Sequence, residues 1–288
     1  MAVDLPHLPD IERLSPRVVR ILGGNPSKFT LQGTNTYLVG QGRKRILVDT
    51  GHGLPVWIES LKKILEAEKA EIEQVVLTHW HPDHVGGVKD VLDLYPEGQV
   101  KIFKNRPDAG QEAIEDGHVF RTEGVSLRAF HCPGHAVDHM ALVLAEEDAM
   151  FTGDNVLGHG TAVFEDLAAY MDSLERMKEE FAGRAYPGHG AVIEDGRGKV
   201  MEYIAHRKER EQQVLDVLRQ PPQQQQRAEG GEGWRSMGVV KVIYQAYPEN
   251  LHGPAEGGVV QVLRKLEGEG RVKQGDDGTW SLVSKSAL

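Results

Sequence analysis

Short apolar runs, separated by charged or glycine-containing segments, recur along the first two-thirds of this chain. They predict β-strands over residues 18–22, 36–39, 45–48, 72–77, 125–130 and 140–144. The segment 57–68 carries apolar side chains at helical spacing, with Trp57, Leu61 and Leu65 on one stripe, and predicts an amphipathic helix. A further helix is expected over residues 167–181. Strands mixed with helices in this way favour the α/β class.

The last third of the chain has a different pattern, which predicts a separate small module. A long charged helix is expected over residues 194–217, followed by a polar, glycine-rich segment over 223–233. The pattern then predicts two helices and a hairpin, over residues 239–247, 258–267, 271–273 and 279–283. This order is typical of a winged helix. We therefore expect a first domain over residues 1–220, a linker or exposed loop over 221–233 and a winged-helix-like module over 234–288.

Length and composition agree with one large core and one small core. The chain has 288 residues, of which 40% are hydrophobic, and no apolar run approaches the roughly 18 residues that a membrane span needs. The N-terminal residues have neither the basic nor the apolar segment of a signal peptide. The single cysteine, Cys132, excludes an internal disulfide and fits a reducing compartment. We therefore expect a cytoplasmic protein without a membrane partner.

The charge of the chain bears on its partners. The formal net charge is −10, and no lysine- or arginine-rich tract occurs. Proteins that bind nucleic acid take most of their affinity from phosphate contacts, so nucleic acid is the less favoured partner. Basic and acidic residues are also nearly balanced in the C-terminal module. For that module we expect a role in packing, or as a lid over a substrate pocket, rather than in binding DNA or RNA.

The segment Thr78–His84 carries the densest set of metal-binding side chains in the chain. His79, His81, Asp83 and His84 fall within six residues, directly after an apolar run and before a pair of glycines. This context predicts a loop at the carboxyl end of a buried strand, where open α/β sheets place their chemistry. A nitrogen and oxygen donor set without thiolate suits zinc, or another divalent metal such as manganese or iron.

Three more candidate ligands follow at wide spacing. His135, Asp154 and His189 each lie in a glycine-containing turn that follows a strand-like or helix-like stretch. A single residue of this kind would carry little weight, but three in the same context extend the first cluster to as many as seven ligands. That number suits two metal ions a few ångströms apart, bridged by one carboxylate and a hydroxide.

The chain resembles the metallo-β-lactamase superfamily in its full set of ligand motifs, which here are His79, His81, Asp83, His84, His135, Asp154 and His189. Asp49, in Val48-Asp49-Thr50-Gly51, resembles the first motif of that family, an aspartate placed behind the ligands. The resemblance covers roughly residues 18 to 205. It implies an αββα sandwich as the fold of the catalytic domain, with the metals at the rim where the two sheets meet.

The same resemblance implies how the ligands divide between two zinc ions. One ion would be held by His79, His81 and His135. The other would be held by Asp83, His84 and His189, and Asp154 would bridge the two ions.

Other stretches resemble one branch of the superfamily. These are residues 29–39, 133–135, 138–140 and 153–158. The branch contains lactamase-beta-like protein 2, which resembles a single-strand endoribonuclease, and fungal thioesterases that release polyketides from acyl carrier proteins, such as the atrochrysone carboxyl ACP type. Residues 54–61, 158–167 and 183–189 are more similar to the fungal thioesterases. The resemblance therefore favours an enzyme of fungal secondary metabolism.

The function that follows is hydrolysis of an acyl thioester by a dinuclear zinc centre, with manganese as an alternative metal. We expect a hydroxide shared by the two ions to attack the thioester carbonyl, and Asp83 and Asp154 to be the catalytic carboxylates. The partner would be an acyl carrier protein domain of a polyketide synthase, or a small acyl thioester. Single-strand endoribonuclease and glyoxalase II-like thioester hydrolase are the alternatives. The oligomeric state stays open, a homodimer included.

Four further residues are expected behind the ligands or in the substrate pocket. Asp49 is predicted to orient a ligand. Asn35 lies in a Gly-Thr-Asn-Thr turn, where it either caps the backbone or contributes to the site. His139 would face the site if the turn after His135 continued as a helix, and would otherwise make a structural hydrogen bond. His159, shortly after Asp154, is a candidate pocket residue against a plain loop position.

Overall fold

The computed structural model describes residues 5–222 and 233–283. In these residues the strands are β1 (Ile11–Arg13), β2 (Val18–Leu22), β3 (Asn35–Val39), β4 (Lys44–Val48), β5 (Glu71–Leu77), β6 (Lys101–Lys104), β7 (Glu112–Ala113), β8 (Val119–Thr122), β9 (Val125–His131), β10 (Met140–Leu144), β11 (Ala149–Gly153), β12 (Ala185–Pro187), β13 (Val272–Gln274) and β14 (Trp280–Leu282). The α-helices are α1 (Pro55–Glu68), α2 (Pro82–Val85), α3 (Val88–Leu92), α4 (Leu167–Met177), α5 (Gly196–Leu218), α6 (Ser236–Ile243) and α7 (His252–Gly268).

Two sheets form the centre of the first part of the chain. Strands β1 to β7 lie in sequence order in one sheet, and the other has the order β12-β11-β10-β9-β8. Neighbours from β1 to β4 are antiparallel, whereas β4, β5 and β6 are parallel because α1 and then α2–α3 return the chain across the sheet. The strands predicted from the apolar runs are confirmed to within one residue at either end.

Alternation along the strands separates two apolar layers. On β4, Ile46 and Val48 point into a core shared with the second sheet, while Leu47 points to the opposite face of the first sheet. The shared core includes Leu142 of β10 and Phe151 of β11, both 0–1% exposed. Strands β2, β3, β10 and β11 are buried at every position, which explains why they appear in the sequence as nearly continuous apolar runs.

Helices cover the outer faces of both sheets. Trp57, Leu61 and Leu65 of α1 pack with Leu47 against the outer face of the first sheet, as the helical stripe predicts. On α4, the guanidinium of Arg176 lies over the ring of Phe130 of β9, 4.9 Å from its centroid. Helix, sheet, sheet and helix therefore follow one another, and the αββα arrangement is confirmed.

The main differences from the predicted helices lie at helix ends. Helix α4 ends at Met177 rather than at residue 181, because the next residues form turns. In the C-terminal part, α6 begins and ends earlier than predicted, and α7 begins at His252 rather than at residue 258. Glycines and Pro254 obscure the start of α7, although a proline in the first turn of a helix loses no intrahelical hydrogen bond.

The chain divides into two compact units, Met1–Tyr203 and Ile204–Leu288. The second unit holds α6, α7 and the β13–β14 hairpin, the elements expected of a winged helix. Most of the linker predicted over residues 221–233 lies outside the described residues, and the domain boundary at residue 220 stays a prediction.

Among the helices that the structure describes, none combines the length and apolar character that crossing a membrane requires.

Candidate metal centre

The seven candidate ligands lie at one rim of the two sheets, five of them in loops and two, Asp83 and His84, in the short helix α2 where the sequence pattern predicts a loop. His79, His81, Asp83 and His84 follow the carboxyl end of β5. The other three lie after β9, β11 and β12. A hydrogen bond joins the two sheets at this rim. The backbone N–H of Asn35 on β3 donates to the carbonyl of Gly188, which follows β12, at 2.7 Å. Residues that are far apart in sequence are thus brought together by strand ends.

The candidate ligands form two adjacent groups of side chains able to bind metal ions, one of His79, His81, His135 and Asp154 and the other of Asp83, His84 and His189. In each group the donor atoms lie within 4.8 Å of one another. Within the first group, Nδ1 of His81 lies 2.9 Å from Nε2 of His79 and 3.1 Å from Nε2 of His135. Three ring nitrogens therefore converge on one point.

Asp154 lies between the two groups. Its Oδ2 is 3.6 Å from Nε2 of His135 in the first group and 3.2 Å from Nε2 of His189 in the second. Its Oδ1 is 3.4 Å from Nε2 of His84. The carboxylate thus has one oxygen near both groups and the other near the second, which is the position expected of a bridging ligand.

Unpartnered buried atoms show that the residues fit a cation. Nε2 of His84 and Oδ1 of Asp154 are buried and have no hydrogen-bond partner among the described residues. Leaving a buried polar atom unpaired costs about 1–3 kcal/mol. A divalent ion between these side chains would satisfy both atoms, and their nitrogen and oxygen donors suit zinc or a similar metal.

The electrostatics of the cluster favours the forms of the side chains that bind metal. Burial, followed by the neighbouring His84, lowers the pKa of His79, and burial with His135 lowers the pKa of His81. Burial acts to raise the pKa of Asp154, but His189 and His84 lower it well below its usual value. The result is neutral imidazoles beside an ionised carboxylate, which is what metal binding requires.

His84 differs from the other histidines because carboxylates lie on both sides of its ring. Burial acts to lower its pKa, but Asp154 and Asp49 raise the pKa well above the ordinary value. A proton on Nε2 therefore occupies a position that a cation could take.

Asp49 holds the ring of His84 from behind. Its Oδ2 accepts hydrogen bonds from Nδ1 of His84 at 2.7 Å and from the hydroxyl of Thr78 at 2.8 Å, and its Oδ1 accepts from the backbone N–H of Thr78. Because Nδ1 of His84 donates to this carboxylate, its Nε2 is the nitrogen that faces the cluster. Asp49 is thus in contact with a candidate ligand, the position predicted for it.

Asn35 and His139 both make hydrogen bonds to backbone atoms of the ligand loops. The side-chain amide of Asn35 donates to the carbonyls of Pro187 and Gly190, at 2.9 and 2.8 Å, on either side of His189. His139 is fully buried, and its Nε2 accepts the backbone N–H of Asp154 at 3.0 Å. The residues between His135 and His139 form a turn and not a helix, so His139 has the structural hydrogen bond that was the alternative to facing the site.

Cys132 is not available as a nucleophile. Its Sγ lies 3.2 Å from Nδ1 of His139, and the residue is fully buried. Burial raises the pKa of its thiol to about 12, so the thiol stays protonated near neutral pH.

A cavity of about 640 Å³ opens in front of the cluster, and His81, Asp83, His135, Asp154 and His189 form its floor. The loop before β3 forms one wall, with Lys28, Phe29 and Leu31, and the loop after β11 forms the other, with Leu157, His159, Ala162 and Val163. The side chains of Phe29 and Val163 are 72% and 62% exposed, although both are apolar. Lys28 is the one lysine or arginine among the described residues that line the cavity.

The sequence patterns identified the floor of the cavity and His159 but missed most of its walls. They also missed two threonines, Thr34 and Thr78, whose hydroxyls bond to Asp83 and Asp49. Thr78 directly precedes the ligand motif, and this position was the available signal. Nothing in the local pattern marks Thr34, since its partner lies 49 residues away.

Comparisons with known proteins agree with this geometry. The model of the metallo-beta-lactamase superfamily matches residues 29–105 and 96–189, and the beta-lactamase associated winged helix domain matches residues 236–280. An atrochrysone carboxyl ACP thioesterase from Aspergillus chevalieri is 48% identical over 97% of this chain and 91% of its own length. Lactamase-like protein nscB from Arthroderma gypseum is 50% identical over 94% of this chain and 89% of its own length.

Solved structures support the fold independently. A beta-lactamase domain protein from Burkholderia ambifaria has a TM-score of 0.78 and 19% identity, with 98% of this chain and 96% of that chain covered. At this identity the likeness concerns the arrangement of the elements alone.

Proposed function

This chain belongs to the metallo-β-lactamase superfamily and is a metal-dependent hydrolase, and on that premise we propose that it is a thioesterase which releases a polyketide acyl chain from an acyl carrier protein. The observation that carries the proposal is that a metal-binding cluster and an apolar cavity lie at the same place in the structure. Five of the seven clustered metal-binding side chains form the floor of a cavity whose two walls are largely apolar. Relatives that bear the name of acyl carrier protein thioesterases support the same choice.

The proposed dinuclear site divides the ligands as the family resemblance implies. His79, His81 and His135 would hold one zinc ion, the group of Asp83, His84 and His189 would hold the other, and Asp154 would contact both. Such ions lower the pKa of a bound water to about 7 and polarise a carbonyl oxygen. Two of these ligands, His79 and Asp154, have pKa values lowered well below the usual ones and would be deprotonated at neutral pH, as metal binding requires.

The residues of the chain supply binding, exclusion of water and a place for the proton. Phe29 and Val163 are exposed apolar side chains in the two loops that line the cavity, and an acyl chain bound there would remove them from water. Asp83 lines the cavity floor and keeps 21% of its side chain accessible. Its carboxylate is therefore placed to take up the proton that water releases in the hydrolysis and to pass it to the leaving thiolate. The overall reaction converts the thioester and one water into a carboxylic acid and a free thiol.

The cavity walls argue against the two alternative activities. A single-strand endoribonuclease needs cations along the path of the phosphates, and a glyoxalase II-like enzyme needs them for the glutathione carboxylates. Lys28 is the one such residue among the described residues of the cavity lining. An apolar acyl chain fits these walls better than a polyanion does.

Three substrates distinguish these activities in one experiment. The protein, loaded with a measured amount of zinc, is incubated with a polyketide-type acyl thioester of an acyl carrier protein, with a labelled single-stranded RNA and with lactoylglutathione. We expect free thiol on the carrier protein to appear fastest, and the same preparation with Asp154→Ala to release none. Cleavage of RNA or lactoylglutathione at a comparable rate, without hydrolysis of the carrier thioester, would reject the thioesterase.

A further inference from the structure

Asp83 receives a hydrogen bond from a residue that lies far away in the sequence. The hydroxyl of Thr34 lies 2.9 Å from Oδ2 of Asp83. The same Oδ2 is 3.5 Å from Nε2 of His84 and 3.3 Å from Nε2 of His189. One oxygen of the carboxylate therefore faces both a hydroxyl and the ring nitrogens with which it would share an ion.

The network around Thr34 determines which atom donates. The amide Nδ2 of Asn25 lies 3.0 Å from the hydroxyl oxygen of Thr34, and an amide nitrogen can only donate. Oδ1 of Asn25 accepts the backbone N–H of Thr34 at 2.9 Å, which sets the orientation of the amide group. The hydroxyl of Thr34 accepts from Asn25, and its own proton is therefore left for the carboxylate of Asp83.

The backbone is shaped to allow this network. Thr34 is fully buried, and Gly23 approaches Asn25 so closely that a Cβ at residue 23 would lie 2.7 Å from Oδ1 of the amide. Gly33 has φ of +129°, a conformation that side chains disfavour, directly before the threonine. Any side chain at Gly23 would displace the amide group that orients the hydroxyl.

We infer that Thr34 is a positioning residue for the metal ligand Asp83, and that Asn25 holds the Thr34 hydroxyl in its donating orientation. The inference rests on the proposed function, since it requires an ion at Asp83, His84 and His189. An oxygen with two lone pairs can accept the threonine proton with one and bind the ion with the other. The hydrogen bond fixes the rotation of the carboxylate, as outer partners of metal ligands do.

Thr36 of β3, two residues further along the chain, provides a matched control. It is also fully buried, its hydroxyl donates to the carbonyl of Ile21 at 2.9 Å, and its oxygen accepts from Nε1 of Trp57 at 2.8 Å. Both threonines thus accept one side-chain hydrogen bond and donate one. Only Thr34 touches a candidate ligand.

The test compares Thr34→Val, Thr34→Ser and Thr36→Val in the full chain. Metal content per chain is measured by mass spectrometry, zinc affinity by competition with a chromogenic chelator, and kcat and KM with the acyl carrier thioester. We expect Thr34→Val to bind one of two zinc ions about 10–100-fold more weakly, and kcat to fall with less change in KM. Thr34→Ser should restore both ions, and Thr36→Val should keep both although it unfolds more easily.

Several outcomes would overturn the positioning role. These are wild-type zinc affinity and kcat in Thr34→Val, a loss in Thr34→Ser as large as that in Thr34→Val, or an equal loss of zinc in Thr36→Val. A wild-type protein that binds no divalent ion would instead refute the proposed function.

If Thr34→Val does not fold, Asn25→Asp replaces it. A carboxylate at residue 25 competes with Asp83 for the hydroxyl proton, so the same ion should bind more weakly, and unchanged affinity would contradict the inference.

Discussion

Replacing Asp49 with asparagine should disconnect His84 from the metal centre while leaving the shape of the core intact. Asp49 is 2% exposed and accepts three hydrogen bonds, two from Thr78 and one from Nδ1 of His84. In Asp49→Asn, one oxygen can still accept from the backbone of Thr78. The new NH₂ group, however, faces the N–H of His84, and a donor cannot pair with a donor.

The consequence for His84 can be given a magnitude. The clash between the two donors disappears if the proton of His84 moves from Nδ1 to Nε2. However, Nε2 is the nitrogen that faces Asp154, 3.4 Å away. A protonated Nε2 cannot bind a metal. Loss of such an outer partner weakens a metal site about 10–100-fold, which corresponds to about 1.4–2.7 kcal/mol. We expect one zinc ion to be affected by this amount and the other to stay bound.

The assay is a zinc titration of Asp49→Asn against a competing chelator, with metal content measured in parallel. Asp93→Asn is the matched control, because the side chain of Asp93 is 62% exposed and, among the described residues, forms an ion pair only with Lys89 at the surface. The control should bind zinc as the wild type does. Two zinc ions of wild-type affinity in Asp49→Asn would refute the reasoning that the carboxylate sets the tautomer of His84.

Two further predictions concern the cavity walls and a buried ion pair. Phe29→Ala and Val163→Ala should each raise KM about fivefold for long apolar acyl thioesters, because each variant loses about 1 kcal/mol of apolar burial with the substrate. The KM for acetyl thioesters should be unchanged. Equal effects on the KM of short and long substrates would contradict this. Lys104 and Asp138 form an ion pair of 3.1 Å with side chains 6% and 2% exposed, and Lys104 also donates to the carbonyl of Arg106 at 2.9 Å. Lys104→Met leaves the Asp138 carboxylate buried without its cation and should cost about 3–5 kcal/mol in urea unfolding, whereas Lys104→Met with Asp138→Leu should cost less. A double variant less stable than the single one would contradict this.

The layered fold could be predicted from the sequence because its central strands are buried on both faces. Runs such as residues 140–144 contain no polar position at all, and a run of this kind predicts a central strand without knowledge of its neighbours. The start of α7 could not be predicted in the same way. Gly253, Pro254 and Gly257 have low helix propensity, and tertiary packing of Val259, Leu263 and other apolar side chains outweighs it.

The candidate site could likewise be predicted only in part. His79, His81, Asp83 and His84 are close in sequence, and the three distant ligands share one local context, a glycine turn after a regular element. The residues of the cavity walls share no such local sequence context. Two loops about 130 residues apart face each other only because of the order of the strands, and no pattern within either loop indicates its partner. The contact between Thr34 and Asp83 was missed for the same reason.

Metal content measured together with activity tests the account most directly. The protein is stripped of metal with a chelator, then titrated with zinc while bound metal and thioester hydrolysis are followed on the same samples. We expect no hydrolysis without metal and recovery of activity that saturates at two ions per chain. Full hydrolytic activity in a preparation that contains no metal would contradict the account.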